Sequence, residues 1–164
     1  MLIERGNGAN LIVLDKQGRI LVARQNYGEK KLMLPGGKIE RGESPTHAAQ
    51  EETEEETGII TFEENFRLIA YFVQRPNGIV FLYETDKSTG EARTEITNEI
   101  LEVKFMSPEE IFKNIDSFGL GYARMILQYL RCKRGIDIIP FLGRLSTPVE
   151  FINLGQYRDI VTRI

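Results

Sequence analysis

The sequence has almost no cysteine, and this excludes a whole class of proteins. Cys132 is the one cysteine among 164 residues, so the internal disulfides that stabilise small secreted domains cannot form. Long hydrophobic runs are missing as well. No segment approaches the roughly 20 apolar residues of a membrane-spanning helix, and Met1 to Arg5 lack the apolar core of a signal peptide. We therefore expect a soluble protein in a reducing compartment such as the cytoplasm.

A strong charge of either sign is also missing. With 21 basic and 24 acidic residues the formal net charge is -3, so there is no electrostatic reason to expect a nucleic-acid or an anionic membrane partner. Any polyanionic substrate would then need metal ions as intermediaries. A length of 164 residues fits one domain with a real hydrophobic core and is too short for two.

The stretch from Gly36 to Ile59 is the most informative part of the sequence. It predicts a loop followed by a helix from about Pro45 to Thr57. Ser44 is a favourable N-cap, proline is tolerated at the first helical position, and Gly58 suits the left-handed residue that often follows the last turn. Most residues between these ends are strong helix formers.

Five glutamates lie in the C-terminal half of this helix, where the macrodipole is negative and a carboxylate is unfavourable. Glu52, Glu55 and Glu56 stand at i, i+3 and i+4 and share one face. Glu51 and Glu54 point elsewhere. At roughly 6 Å and an effective dielectric of about 20, each carboxylate pair repels by about 3 kcal/mol. A cation that prefers oxygen ligands, Mg²⁺ or Mn²⁺, would relieve this repulsion, and a solvated acidic helix without function is the alternative.

The spacing of these residues resembles the Nudix box, written G-x5-E-x7-R-E-U-x-E-E-x-G-U, in which U is a bulky aliphatic residue. Seven of its nine specified positions match, and Pro35-Gly36-Gly37 precedes the helix as in the family. The matching residues are Gly37, Glu43, Glu52, Glu55, Glu56, Gly58 and Ile59. Two positions depart from the box, because Glu51 stands in place of its arginine and Thr53 in place of its first aliphatic residue.

The resemblance implies a metal-dependent pyrophosphohydrolase, in which water attacks phosphorus. Its substrate would be a nucleoside diphosphate linked to another group, such as a nucleotide sugar or a dinucleotide. The implied metal ligands for Mg²⁺ or Mn²⁺ are Glu52, Glu55, Glu56, Glu99 and the backbone carbonyl of Gly36. Glu52 and Glu55 are the implied catalytic residues, and Glu52 is either a ligand or the base that activates water.

Three further residues resemble substrate-contacting positions of the family. Arg24 ends a predicted strand beside the site, and Lys38 follows the paired glycines. For each, a solvated surface charge is an equal alternative. Glu43 falls at the box position, but it also lies at the N-terminal end of the helix, where a negative charge is favourable without any function.

The glutamate at position 51 leaves two outcomes open. In the family the box arginine orients a catalytic carboxylate, whereas Glu51 adds negative charge to an anionic cluster. Another cation, such as Arg41, Lys38 or a tightly held metal, would preserve activity, and we favour this because every implied ligand carboxylate is present. The second outcome is a non-catalytic nucleotide sensor or regulator.

Histidine and aromatic side chains give weaker signals. His47 lies about 140° around the helix from Glu52 and belongs to no ligand spacing, so we interpret it as an incidental surface residue. Leu32 occupies the place where many relatives of the family have tryptophan. Aromatic residues that could stack on a base are Tyr27, Tyr71, Phe72 and Tyr83, although aromatic residues in strands more often pack in the core.

The order of predicted elements indicates an α/β fold with a mixed β-sheet and helices on both faces, in agreement with the α/β/α sandwich that the Nudix resemblance implies. Predicted strands cover residues 9–15, 19–24, 32–34, 66–74, 79–85 and 100–106, and further helices begin after Ser107 and end near Gly135. Short connections predict hairpins at 16–18 and 75–78. We expect one domain at residues 1–135 and a C-terminal extension at 136–164, which packs on the domain or on a second subunit of a homodimer.

Overall fold

The fold comes from a computed structural model that describes residues 6–74, 78–134, 150–153 and 161–162. Among the described residues, no helix combines the length and the apolar character needed to cross a membrane. The elements in chain order are β1 (Gly8–Val13), β2 (Ile20–Gln25), β3 (Leu32–Met33), β4 (Gly36–Lys38), α1 (Pro45–Thr57), β5 (Ile60–Thr61), β6 (Arg67–Gln74), β7 (Gly78–Thr85), β8 (Ser88–Thr89), β9 (Ile100–Met106), α2 (Pro108–Lys113), α3 (Leu120–Arg134), β10 (Glu150–Asn153) and β11 (Val161–Thr162).

The strands form one large mixed sheet and two smaller sheets. The large sheet has the order β11, β10, β6, β7, β1 and β4, and within it β1 runs parallel to β7 and antiparallel to β4. The second sheet is antiparallel and has the order β3, β2 and β9. Strands β5 and β8 form a short antiparallel pair. The predicted α/β fold with a mixed sheet is confirmed.

Helices cover both faces of β1, because successive residues of a strand point to opposite sides. Ile12 belongs to a core cluster that includes Ile126 of α3. Its neighbour Leu11 belongs to a second cluster with Ala48 and Ala49 of α1. Burial of each large aliphatic side chain contributes roughly 1.5–3 kcal/mol. Helix α1 is therefore packed on one face of the strand and α3 on the other.

The bounds of α1 agree with the prediction from the sequence. The Ser44 side chain accepts a hydrogen bond from the backbone N–H of His47 at 3.1 Å, so it caps the first turn. At the other end Gly58 has φ of 75°, and its N–H donates to the carbonyl of Glu54 at 2.8 Å. These two caps fix which turn of the helix presents each glutamate.

The hairpin predicted between the first two strands is wrong. A turn does form, because the Asp15 carboxylate accepts hydrogen bonds from the backbone N–H groups of Gln17 at 2.9 Å and Arg19 at 2.8 Å. Apart from one bridge between Leu14 and Ile20, however, β1 and β2 pair in different sheets. Both strands are almost wholly buried, and each is paired on both sides. β1 lies between β7 and β4, and β2 lies between β3 and β9, so the local turn does not decide the pairing.

The glycine-rich stretch after Pro35 was predicted as a loop, and this prediction is also wrong. Gly36, Gly37 and Lys38 form β4 and pair with β1, with Gly37 opposite Ala9. Glycine is depleted in strands, which is why its presence indicated a loop. The strands predicted at 66–74, 79–85 and 100–106 and the later helices are present, within one residue at most strand ends. The short pair of β5 and β8 was not predicted.

Most of the predicted C-terminal extension lies outside the described residues, as does the predicted turn at 75–77. Within the extension, β10 pairs antiparallel with β6, and β11 pairs antiparallel with β10. The described part of the extension therefore adds strands to the large sheet of the same chain.

Candidate active site

The backbone of β4 approaches the glutamate face of α1 closely. The N–H of Gly36 donates a hydrogen bond to Oε2 of Glu56 at 3.0 Å. Gly36 has φ of 140°, and a Cβ at this residue would overlap the carbonyl oxygen of Ala9. A Cβ at Gly37 would overlap the carboxylate of Glu52. Both glycines are therefore needed for β4 and α1 to approach each other this closely.

Glu56 is the carboxylic acid of this site whose pKa is shifted most. Burial raises its pKa, and the N–H of Gly36 opposes this by stabilising the ionised form. The negative charges of Glu52, Glu99 and Glu55 raise it further, and the result is a pKa of about 8 in place of the ordinary 4.5. The carboxylates named as metal ligands from the sequence thus interact electrostatically in the folded chain.

The pKa of Glu52 is also raised. Burial is the largest cause of its raised pKa, followed by the charges of Glu55, Glu51, Glu43 and Glu99. Glu55 is exposed, and its negative charge raises the pKa of both Glu52 and Glu56. The trio predicted at i, i+3 and i+4 therefore shares one acidic field, although its members differ in burial.

Glu99 reaches this acidic field from a different part of the chain. The backbone N–H of Asn26, at the end of β2, donates to the carbonyl of Glu99 at 2.7 Å, and the Asn26 side chain donates to the carbonyl of Asn98 at 2.8 Å. These two bonds hold residues 98–99 beside the connection between β2 and β3. Glu99 therefore lies in a segment whose charge acts on Glu52 and Glu56, and its role as a ligand stays a prediction.

Cations do not balance this cluster in the part of the chain that the structure describes. There, Glu52, Glu55 and Glu56 form no ion pair with any lysine, arginine or histidine. The described ion pairs join other residues: Arg19–Asp15, Arg24–Glu102, Lys31–Glu29, Lys38–Glu40, His47–Glu63, Arg67–Glu84, Lys104–Glu102 and Lys133–Glu84. Three nearby carboxylates without a positive charge are costly wherever solvent is partly excluded.

The residues predicted to contact substrate have partners of their own. Arg24 donates to Glu102 at 3.1 Å and to the carbonyl of Lys30 at 3.2 Å. Lys38 lies 3.7 Å from Glu40 and keeps 66% of its side chain exposed. Lys38 can therefore turn towards a ligand at little cost, whereas the Arg24 guanidinium would have to give up existing bonds.

Glu51, at the position of the box arginine, lies in a separate group with Glu43 and His47. One potential ligand atom from each lies within 4.8 Å of the other two. Nδ1 of His47 also lies 3.2 Å from Oε1 of Glu63. His47 was predicted to be an incidental surface residue, and it is exposed. Glu51 lies four residues after it on α1, so these two share a face, and Glu43 reaches them from the segment before the helix.

Thr53, the second departure from the box, is fully buried in α1. Its hydroxyl donates to the carbonyl of Ala49 at 2.6 Å, one turn earlier. A threonine that satisfies its hydroxyl within its own helix presents a methyl group to the core, as an aliphatic residue would. This departure therefore leaves the packing of the helix intact.

Tyr27 is the aromatic candidate that lies beside the carboxylates. Its side chain is 53% exposed, and its pKa is raised by partial burial and by the charges of Glu56 and Glu99. In contrast, Phe72 and Tyr83 are buried in the core and are not available for stacking on a ligand.

Tyr122 lies near the site, and nothing in the sequence predicts this. It lies in the predicted helix that ends near Gly135, and no motif marks it. In the structure its pKa is raised to about 12, first by burial and then by the charges of Glu56, Tyr27 and Glu52. It therefore lies near the acidic cluster, more than sixty residues after α1 in the sequence.

Comparisons with known proteins agree with this geometry. A family profile described as NUDIX domain matches residues 4–129. An ADP-ribose pyrophosphatase of Bacillus subtilis (strain 168) is 26% identical over 146 residues, which cover 83% of this chain and 78% of that protein.

Solved structures share the fold. A MutT protein from Methanosarcina mazei Go1 superposes with a TM-score of 0.63 at 20% identity, covering 82% of this chain and 100% of the other. A bifunctional NMN adenylyltransferase/ADP ribose pyrophosphatase from Francisella tularensis gives a TM-score of 0.67 at 19% identity over 80% of this chain. The match covers 42% of that bifunctional chain, so less than half of it has a counterpart here.

Proposed function

The chain belongs to the NUDIX domain family of hydrolases, and on this premise we propose that it is a metal-dependent pyrophosphohydrolase. Its substrate is a nucleoside diphosphate joined to a second group, and water cleaves the diphosphate linkage. The observation that carries this proposal is the set of glutamates around Gly36, which interact with one another and have no cation among the described residues.

The donor set fits a hard divalent cation. Mg²⁺ and Mn²⁺ prefer carboxylate and carbonyl oxygens, and a buried carboxyl whose pKa is about 8 needs a nearby positive charge to stay ionised at neutral pH. The proposed ligands are Glu52, Glu55, Glu56, Glu99 and the carbonyl oxygen of Gly36. A bound divalent cation neutralises charge on phosphate oxygens and lowers the pKa of water.

The chain itself supplies orientation and a base. The N–H of Gly36 fixes Oε2 of Glu56, so a backbone group does what the box arginine was expected to do for a catalytic carboxylate. Glu52 is the proposed base, because its raised pKa brings its proton affinity closer to neutral pH, where a general base works best. Glu55 is proposed as a catalytic metal ligand, because it is exposed and its charge acts on both Glu52 and Glu56.

Three charged side chains are the proposed substrate contacts. Lys38 is exposed and next to Gly37, which suits a contact with phosphate, and Arg24 and Glu43 remain proposed contacts. The similarity to an ADP-ribose pyrophosphatase makes ADP-ribose the first substrate to test.

A second candidate function is a nucleotide sensor without turnover, and Glu51 is the observation that favours it. A negative side chain at this position adds to the acidic field of Glu52. Retention of all the proposed ligands and the hydrogen bond from Gly36 to Glu56 favour the enzyme.

The products of hydrolysis separate the two functions. We expect Mg²⁺-dependent hydrolysis of at least one member of a panel of ADP-ribose, nucleotide sugars, dinucleoside polyphosphates and nucleoside triphosphates, and no hydrolysis in EDTA. Chromatography of the reaction products, in Mg²⁺ and in EDTA, measures this hydrolysis. Tight binding of a panel member without turnover would show the sensor instead.

Stability of the metal-free protein is expected to fall as the pH rises from about 4.5 to about 8. Glu56 has a higher pKa in the folded chain than the ordinary 4.5, so the folded state holds its proton more tightly than the unfolded state does. The stabilisation is complete below the unfolded pKa and is lost as the pH rises through the folded pKa. Urea unfolding in EDTA at roughly pH 5, 6.5 and 8 measures this change in the free energy of unfolding.

Glu56→Gln is the control for this pH dependence. It removes the titrating group and retains an oxygen acceptor for the N–H of Gly36. The difference in unfolding free energy between wild type and variant should therefore change with pH in EDTA, and added Mg²⁺ should stabilise the wild type most at high pH. Identical pH profiles for the two proteins would show that Glu56 is not perturbed.

A further inference from the structure

The first turn of α3 is fastened to the strand that leads into the glycine pair. The backbone N–H of Gly119 donates to the carbonyl of Leu32 at 2.9 Å, and Phe118 forms a bridge with Leu32. Leu32 begins β3, and Gly36 follows four residues later. The start of α3 is thus held near the acidic site by backbone contacts.

This anchoring places Tyr122 against the strands that lie beneath the site. Its half-buried ring packs against a small core cluster formed by Ala23, Met33 and Ile100. Met33 lies three residues before Gly36, and Ile100 directly follows Glu99. The ring therefore lies between two segments that each supply a proposed metal ligand.

The hydroxyl of Tyr122 has no hydrogen-bond partner among the residues that the structure describes. A phenol hydroxyl in a largely apolar setting normally finds an acceptor. The nearby carboxylates of Glu56 and Glu52 affect its pKa but do not accept a hydrogen bond from it. Because this pKa is about 12, the hydroxyl keeps its proton at any physiological pH and remains a donor.

Tyr27, the other phenol of the site, does have a hydrogen-bond partner for its hydroxyl. Its oxygen accepts a hydrogen bond from Nε2 of Gln25 at 2.9 Å, and its exposure lets water satisfy the rest. Tyr122 is therefore the phenol of the site whose hydroxyl has no partner among the described residues and can donate to a ligand.

We propose that Tyr122 is a substrate-binding residue, whose hydroxyl donates a hydrogen bond to a non-bridging oxygen of the diphosphate held at the acidic site. This rests on the proposed function, since it is the hydrolase that brings a diphosphate to this place. A neutral donor suits an anionic oxygen here, because the surrounding carboxylates repel the diphosphate and a phenol does not.

Tyr122→Phe tests the proposal, because it removes the hydroxyl and keeps the packed ring. We expect kcat/KM for Mg²⁺-dependent ADP-ribose hydrolysis to fall roughly 10- to 100-fold, the usual effect of losing a hydrogen bond to a charged group. The melting temperature should stay at the wild-type value. The matched control is Tyr83→Phe on β7, whose ring is buried in the core and is not available to a ligand, and it should leave kcat/KM unchanged. An unchanged kcat/KM for Tyr122→Phe overturns the proposal.

A binding measurement keeps this test separate from the test of hydrolysis. If the wild type hydrolyses no panel member, the proposed function fails, and titration with the α,β-methylene analogue of ADP-ribose in Mg²⁺ then decides the role of Tyr122. Binding by the wild type that is roughly tenfold weaker in Tyr122→Phe supports the proposal. Equal affinity of the two proteins, or no binding to the wild type, overturns it.

Discussion

Replacing Glu56 or Glu55 by glutamine is expected to lower Mg²⁺-dependent hydrolysis by about 10² to 10³-fold, comparable to the loss of a preorganised electrostatic group in other active sites. Glutamine has the shape of glutamate and offers an oxygen to the N–H of Gly36, but it has no negative charge for a cation. Initial rates over a range of Mg²⁺ concentrations measure the effect.

Glu54→Gln is the matched control for these two substitutions. Glu54 is exposed on α1 and is not one of the charges that raise the pKa of Glu56 or Glu52. The same loss of one negative charge from the same helix should leave the rate within about twofold, because exposed charges at a distance are screened by solvent. Equal losses in all three variants would mean that only the net charge of the helix matters, and the proposed ligands would be wrong.

Gly36→Ala is expected to lower the free energy of unfolding by about 3 kcal/mol. Two costs combine at this position. The backbone has φ of 140°, which side chains disfavour, and the new Cβ would overlap the backbone carbonyl of Ala9 on the neighbouring strand. A backbone atom in a sheet cannot move aside as a flexible side chain can, so β4 must shift and carry the partner of Glu56 with it.

Gly42→Ala separates these two costs. Gly42 has φ of 85°, but a Cβ there would meet nothing within 4 Å. It should therefore cost about 1 kcal/mol, from the backbone conformation alone. Urea unfolding and hydrolysis rates of both variants provide the comparison. If Gly36→Ala were no worse than Gly42→Ala and kept full activity, the close approach of β4 to α1 would have no functional role.

Local signals in the sequence predicted the central helix correctly. Ser44 and Gly58 act within a single turn of the chain, so their effect on α1 does not depend on the rest of the fold. The shared face of Glu52, Glu55 and Glu56 follows from helix geometry for the same reason. Family resemblance added Glu99, whose place in the site no local pattern could predict.

Long-range packing explains what the sequence did not show. The turn at Asp15 forms as its residues indicate, yet β1 and β2 belong to two sheets, because β1 pairs with β7 and β4 whereas β2 pairs with β3 and β9. Gly36 and Gly37 suggested a loop, whereas the strand exists because the glycines let two backbones approach. Tyr122 looked like any other apolar residue of α3, since only its tertiary neighbours distinguish it.

We propose that Glu52, Glu55 and Glu56 share one divalent cation with the carbonyl of Gly36. A crystal grown or soaked with Mn²⁺, measured for anomalous scattering, tests it most directly. We expect an anomalous peak between these carboxylates and the Gly36 carbonyl. A peak at Glu43, His47 and Glu51 alone, or none at saturating Mn²⁺, would contradict it.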